Sequence, residues 1–299
     1  MPGTTTDQTV FLTLVRAADE ISPACALIDS LRSFGGALSA CRIWVFQTNE
    51  EMACNSLGRT GAQVFPLNVP DTVRHYIFAD KVYACAQAEE MATPGVQSLV
   101  WIDPSCLIIN PPQLFDLGRS YDAAVRPVHI RNVGLAPTQP LDGFWTKICA
   151  VVGTPDIPTT VEAFVDGHCI RSYFNSHAFA INPARGLLRR WFDCFAGLVR
   201  DQPFQAESCQ DEPHQIFLHQ AVLSALLVTS FEAERILILP PDYNYPYNLQ
   251  GLVPAERRAR WLNALVCIAY EDRLLDPNLV DDIRIDEPLR SWLSANWRH

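Results

Sequence analysis

The sequence predicts an α/β protein with a mostly parallel sheet, helices on both faces and a single domain. Through the first half of the chain, short apolar runs alternate with amphipathic segments, the pattern of strands joined by helical crossovers. The 299 residues are enough to build one large α/β core. The sequence contains no internal repeat, low-complexity segment or long linker that would divide it.

In the first half, apolar runs of strand length alternate with two helices. The predicted strands are VFLTLV (10–15), CRIWVFQ (41–47), QVFPL (63–67) and SLVWI (98–102). Ser22-Pro23 is typical of a helix start and Gly35-Gly36 of its end. The stripe Phe78, Val82, Cys85 predicts the next helix.

The second half is less regular, but strands and helices are still recognisable. Strands are predicted at 123–128, 176–182 and 265–270, and residues 236–246 are predicted to be a strand that leads into an aromatic loop. Helices are predicted at 144–153, from Asn182-Pro183 onward, at 213–228 and in the tail from 287. Gln220 falls on an apolar stripe of its helix, so its amide must find buried partners.

Composition excludes several classes of protein. The formal charge of 23 − 33 = −10 argues against a nucleic-acid partner, which needs a basic surface. No apolar stretch approaches the length of a membrane span, and no secretory signal opens the chain, so a cytoplasmic location is expected. Ten cysteines without a CxxC pair or zinc-site spacing predict free, mostly buried thiols.

A candidate ligand site follows from the position of one aspartate. Open parallel sheets bind ligands beyond the carboxyl ends of their strands. In LVWIDPSCLIINPPQLFDL (99–117), Asp103 comes directly after a buried strand, and Pro104 helps to end that strand. The same rule singles out residues 13–16 at the carboxyl end of the first strand. Asp103-Pro104-Ser105 is compatible with a plain turn as well as with a site.

Several motifs in order resemble a known family. FLTLV with a helix ending LRSFGG, DKVYACAQAEE before the segment 99–117, YFNSHAFAINP, HQAVLSALL and LPPDYNYP follow one another between about residues 10 and 270. Together they resemble the nucleotide-diphospho-sugar transferases of GT-A fold, in particular bacterial relatives of glycosyltransferase family 8. The resemblance implies a Rossmann-related GT-A domain over 1–299, with a nucleotide-binding half (1–130), an acceptor-side half (131–286) and a terminal tail (287–299).

The resemblance also implies roles for individual residues. A nucleotide-sugar donor would contact Thr13, Arg16, Lys81 and Ser105. Asp103, the first acid of the family's DxD motif, would be catalytic and would bind Mn²⁺ or Mg²⁺ at the diphosphate. Asn175, Ser176 and Gln220 would bind substrate. His177 and His219 depart from the family pattern, and their own chemistry makes them candidates for an acid or base, since an imidazole titrates near neutral pH. A saccharide or other small acceptor would approach past Asn175, His177 and residues 131–143.

The departures from the family pattern open alternatives. Ser105 replaces the second acid of DxD, His177 a glycine and His219 an aspartate, and no histidine lies near Ala269-Tyr270. Basic side chains would then neutralise the diphosphate in place of a metal, the candidates being Arg16, Lys81, Arg126 and Arg131. Alternatively, the protein binds a nucleotide, a saccharide or a protein partner without transfer. A nucleotidyltransferase is a weaker alternative, because VRAADEISPA lacks the glycine-rich signature of that class.

Overall fold

A computed structural model describes residues 5–48, 55–271 and 283–296. Its strands are β1 (Thr9–Val15), β2 (Arg42–Gln47), β3 (Gln63–Pro66), β4 (Ser98–Ile102), β5 (Cys106–Ile108), β6 (Ala123–Val125), β7 (Thr160–Glu162), β8 (Cys169–Arg171), β9 (Ala178–Ile181), β10 (Ile236–Ile238), β11 (Tyr245–Pro246) and β12 (Cys267–Ala269). Seven of them form the main sheet, in the order β10-β6-β9-β4-β1-β2-β3. All pairs in this sheet are parallel except those of β9, which runs antiparallel between β4 and β6. The predicted mostly parallel sheet is confirmed.

Helices connect these strands and cover the sheet. They are α1 (Thr5–Gln8), α2 (Ile21–Phe34), α3 (Asn55–Arg59), α4 (Ala79–Met91), α5 (Gly143–Val152), α6 (Leu187–Arg200), α7 (Gln202–Ser208), α8 (Glu212–Ser230) and α9 (Leu289–Asn296). Asp142, Asp201 and Asp211 cap α5, α7 and α8 by accepting backbone N–H bonds. Within the described ranges, no helix has the length and apolar character needed to cross a membrane.

The core lies on both faces of the main sheet because successive side chains of a strand point in opposite directions. In β1, Leu12 and Leu14 pack into a cluster with α4, α5, α6 and α8. Phe11 and Val15 pack on the other face, in a cluster with α2. This face is completed by a small sheet of order β11-β12-β5. The helices therefore lie on both faces, as predicted for the GT-A-like fold.

Two helix starts differ from the sequence prediction. Helix α2 begins at Ile21, so Ser22 lies inside its first turn instead of capping it. Asn182-Pro183 opens a short 3₁₀ turn, and α6 begins only at Leu187, after Gly186 with φ 68°. The first amides of α6 are capped from α4, because the buried Glu89 carboxylate accepts the N–H groups of residues 188 and 189.

The cysteines are free thiols in the part of the chain that the structure describes. Seven of the nine described cysteines are buried, Cys25 is half-buried and Cys169 is exposed. Burial above all raises the pKa of the Cys41, Cys149 and Cys209 thiols to about 11. These thiols therefore stay protonated at neutral pH and pack as small apolar side chains of the core.

Candidate active site

A cleft of about 590 Å³ opens at the carboxyl edge of the parallel strands, within the size range of small-molecule sites. It is lined by Arg16, Asp19, Glu20, Pro23, Phe78, Lys81, Asp103, Pro104, Ser105, Ser176, His177, Ile216, Phe217, His219, Gln220, Tyr270 and Glu271. The ends of β1, β4 and β12, the start of β9 and one face of α8 meet there. Because β9 is antiparallel, its first residues lie at the same edge, and Asp103 N–H donates to the His177 carbonyl at 2.8 Å.

Lys81 and Asp103 form the buried centre of the cleft. The Lys81 side chain is 1 % exposed, and its Nζ lies 2.9 Å from Asp103 Oδ2. The other oxygen, Oδ1, accepts a hydrogen bond from the Trp101 indole at 2.7 Å. Burial opposes ionisation of Asp103, but the charges of Lys81 and His177 bring its pKa below the usual value. Asp103 is therefore an ionised carboxylate with both oxygens already bonded.

Phe78 places an aromatic face between Lys81 and α8. It precedes α4 in the left-handed conformation, with φ 61°, a costly geometry for a bulky residue that often marks functional sites. Its ring packs against the His219 ring at 4.4 Å between centroids, with the two planes tilted by 41°, and Lys81 Nζ lies 5.6 Å from its centroid. A second ring, that of Trp101, lies 5.4 Å from the same ammonium, so Lys81 is also stabilised by cation–π contacts.

A hydrogen-bond chain joins Lys81 to α8. Ser176 Oγ lies 3.4 Å from Lys81 Nζ and 2.9 Å from His219 Nε2. Nδ1 of His219 lies 2.8 Å from the Ile216 carbonyl, an obligate acceptor, so Nδ1 carries the hydrogen and Nε2 accepts from Ser176. Burial above all, and then Lys81, holds the pKa of His219 well below its ordinary value. His219 is a neutral acceptor in this site.

Gln220 finds the buried partners that its inward position requires. Its Oε1 accepts the backbone N–H of Ser176 at 3.1 Å and lies 3.3 Å from Ser176 Oγ. The amide thus fixes the turn that carries Ser176 and His177 into the cleft.

His177 stands at the rim between two carboxylates. Its Nε2 lies 3.0 Å from Glu271 Oε1 and 3.9 Å from Asp103 Oδ2. Its Nδ1 lies 2.9 Å from Asn175 Oδ1, and that oxygen also accepts from the Asn244 amide at 2.8 Å. The hydrogen bond to His177, foremost among the causes, lowers the pKa of Glu271.

Arg16 is held at the rim by two acids. Its Nε lies 2.6 Å from Asp80 Oδ2, and its Nη1 lies 3.0 Å from Glu20 Oε1. Its guanidinium also lies 5.9 Å from the Phe78 ring centroid. Arg16 therefore contributes a positioned cation whose charge is already matched by carboxylates.

The structure brings together all the predicted site residues except Thr13 and Asn175. Thr13 lies within β1, 1 % exposed, and does not line the cleft. Asn175 does not line the cleft either, but its Oδ1 contacts Nδ1 of His177, which does. Arg126 and Arg131 also lie away from the cleft; Arg126 is buried against Phe164 and bonds the Pro240 carbonyl.

Sequence reasoning missed Glu271 and the aromatic wall of the cleft. The family pattern pointed to a histidine near Ala269-Tyr270, whereas the acid comes one residue later. The signal was a polar residue directly after an apolar strand. The strand β12 pairs antiparallel with β5, and Tyr270 N–H donates to the Ser105 carbonyl at 2.9 Å. This pairing brings Glu271 to the edge of the cleft, beside His177.

The cleft residues do not fit the divalent metal implied by the family pattern. Both Asp103 oxygens are bonded, and Ser105 supplies a hydroxyl where the second carboxylate would stand. Among residues 5–48, 55–271 and 283–296, no three His, Cys, Asp or Glu side chains are arranged to hold a metal ion. With an effective dielectric constant near 20, unit charges about 4 Å apart interact by about 4 kcal/mol, and a divalent ion beside the Lys81 ammonium would meet about twice that repulsion.

Comparisons with known proteins agree with this fold. Residues 14–231 match the Rhodobacterales glycosyltransferase domain family. The galactosyltransferase LgtC, solved with donor and acceptor sugar analogues, is 14 % identical, with a TM-score of 0.54 over 96 % of this chain and 95 % of that one. Glycosyltransferase GlyE of Streptococcus pneumoniae TIGR4 is 12 % identical, with a TM-score of 0.50 over 97 % of this chain and 60 % of that one.

A further structure, that of the bifunctional glycosyltransferase WbbM, is 11 % identical, with a TM-score of 0.51 over 88 % of this chain and 45 % of that one. No curated protein matches the chain in sequence. At such identities the likeness is one of fold, and it confirms the predicted GT-A architecture.

Proposed function

Because the chain belongs to the Rhodobacterales glycosyltransferase domain family, we propose that its cleft binds a nucleotide-diphosphate sugar and transfers the sugar to a small acceptor. One observation carries this proposal. Arg16, Lys81, Asp103 and His177, which come from four distant segments of the chain, line one cleft at the carboxyl edge of the sheet. Carboxylates and amides beside a cation suit a ligand with both hydroxyl and phosphate groups.

The reaction would place growing negative charge on the diphosphate. An acceptor oxygen bonds to the anomeric carbon, the bond from that carbon to the diphosphate oxygen breaks, and its electron pair leaves on the diphosphate. The acceptor proton passes to a base, for which the ionised Glu271 carboxylate at the rim is the candidate, while His177 beside it is the candidate acid. His219 is better suited to positioning Ser176, since its Nε2 is already an acceptor in a buried chain.

A rival function is binding without transfer. The replacement of the second DxD acid by Ser105 and the existing partners of Asp103 favour it. Under this alternative, the same cleft holds a nucleotide or saccharide, but no bond is broken.

Ligand screening followed by a turnover assay separates the two functions. Nucleoside diphosphates and their sugars should raise the melting temperature of the full chain, since a ligand at about 100 times its Kd adds about 2.7 kcal/mol. Donor hydrolysis, or transfer to a panel of saccharides, should then be detectable by chromatography. A thermal shift without turnover would support binding alone, and no shift with any nucleotide would overturn both functions.

Asp103→Asn tests whether the cleft is the site. We expect donor hydrolysis to fall by about 10²–10³-fold, as when one stabilising group is removed from other active sites. The matched control is Asp71→Asn, because the Asp71 side chain is 84 % exposed and pairs only at the surface, with Arg74. Equal activity of the two variants would place the reaction elsewhere.

A further inference from the structure

Two basic side chains stand beside Asp103. The Lys81 ammonium lies 2.9 Å from Oδ2, and His177 Nε2 lies 3.9 Å from the same oxygen. Arg16, a further cation of the lining, makes its ion pairs with Asp80 and Glu20 and not with Asp103. Lys81 and His177 are therefore the positive groups nearest to the position that the family pattern gives to a metal.

The contacts of His177 fix its hydrogens. Asn175 Oδ1 accepts the backbone N–H of His177 at 2.7 Å and the Asn244 amide at 2.8 Å, so it is an acceptor. Nδ1, at 2.9 Å from this oxygen, must therefore donate. Nε2 faces the Glu271 carboxylate at 3.0 Å and must donate as well. With both nitrogens donating, the ring is an imidazolium.

The contacts of Lys81 leave one N–H group of its ammonium for a ligand. An ammonium has three N–H donors, and Asp103 and Ser176 take two of them. Ser176 is in turn held by His219 and Gln220, so the ammonium is preorganised. Phe78 and Trp101 flank it without taking a hydrogen bond.

We propose that the diphosphate of the donor binds here without a divalent metal, and that Lys81 and His177 supply the two positive charges. This inference rests on the proposed function. The two cations match the charge of one Mn²⁺ or Mg²⁺, and the carboxylates of Asp103 and Glu271 hold them in place. Fixed cations stabilise a leaving diphosphate without any ligand exchange.

The first test compares metal-free and metal-loaded protein. UDP, GDP, ADP, CDP and dTDP are titrated calorimetrically into the full chain, once in EDTA and once with excess Mn²⁺. We expect at least one of them to bind with affinities that agree within about threefold in the two buffers. Binding in manganese alone would overturn the inference and leave the proposed function standing. No binding in either buffer would overturn both.

The second test identifies the cations. Lys81→Met should weaken binding of the same nucleotide in EDTA by about tenfold or more. The control is Lys147→Met, since Lys147 is the only other lysine of the chain and pairs with Asp201 at the surface. His177→Asn, at the more open rim, gives a second variant should Lys81→Met fail to fold. Unchanged affinity in the folded variants would overturn the inference.

Discussion

At the scale of single residues, the buried ion pair between Lys81 and Asp103 lies at the centre of the candidate site and also bears on the stability of the fold. It joins the first turn of α4 to the end of β4, with the ammonium 1 % exposed. Removing one partner of a buried pair leaves the other charge without compensation, whereas replacing both by apolar groups is often tolerated. The effect of this pair on the free energy of unfolding can therefore be predicted and measured.

The losses of unfolding free energy caused by the two single substitutions should add up to more than the loss caused by the double substitution. We expect Asp103→Leu to lower the free energy of unfolding by about 3 kcal/mol, because it leaves the buried Lys81 ammonium without its counterion. The double variant Lys81→Met with Asp103→Leu should recover about 1–3 kcal/mol relative to the sum of the single changes. Urea unfolding at constant m-value measures both.

The surface pair Lys147–Asp201 is the matched control for this cycle. Its lysine side chain is 41 % exposed, and exposed pairs couple weakly. Strict additivity at Lys81 and Asp103, equal to that of the surface pair, would show that the buried contact contributes nothing to folding.

At the scale of elements, Asp122 ties together three strands of the main sheet. It precedes β6 and accepts bonds from Arg235 before β10 at 2.9 Å, and from Arg185 after β9 at 2.8 Å. Asn182, at the end of β9, donates to the same carboxylate at 3.2 Å. Burial opposes the charge, but the two arginines bring the pKa of Asp122 to about 2. This cluster holds one end of the sheet in register.

Protonation of Asp122 should therefore account for part of the stability that the fold loses at low pH. Its folded pKa lies below the ordinary value of about 3.9, so its contribution is complete above pH ~5 and is lost as the pH falls towards ~2. We expect Asp122→Asn to be less stable than the wild type at pH 7 by on the order of 2 kcal/mol, with the difference shrinking in acid. Urea unfolding at several pH values measures this difference.

Asp71→Asn serves again as the comparison, because its carboxylate is exposed. It should follow the wild-type stability at every pH. If the deficit of Asp122→Asn stays constant from neutral to acid pH, its cause is packing and not the ionised carboxylate.

The elements differ in how far the sequence predicts them. The strands β1, β2 and β4 match their predicted ranges within a residue, because long buried apolar runs leave few alternatives. The hairpin of β7 and β8 and the small sheet were not predicted as such, because their strands of two or three residues carry too little pattern. The start of α6 depends on Glu89, about a hundred residues earlier, which no local signal reveals.

At the scale of the whole molecule, the sequence predicts the fold class and the edge that carries the cleft, but not the pairing within it. Asp103, Lys81 and His177 were each candidates, yet their mutual contacts depend on how α4, β4 and β9 pack. Glu271 required the return of β12 to β5. The resemblance was thus sufficient for the architecture, whereas the contacts of Lys81 with Asp103 and of His177 with Glu271 became visible only in three dimensions.

The difference in burial between the two lysines allows chemical labelling to follow the opening of the protein interior. Of 23 basic Lys and Arg residues, only Lys81 and Lys147 are lysines, and their side chains are 1 % and 41 % exposed. In native protein, an amine-specific reagent should acylate Lys147 rapidly and Lys81 slowly, at a rate set by local opening. Peptide mass spectrometry over time measures both rates, and equal rates would contradict the burial of Lys81. Two covalent labels would then follow the interior and the surface of one molecule in the same tube.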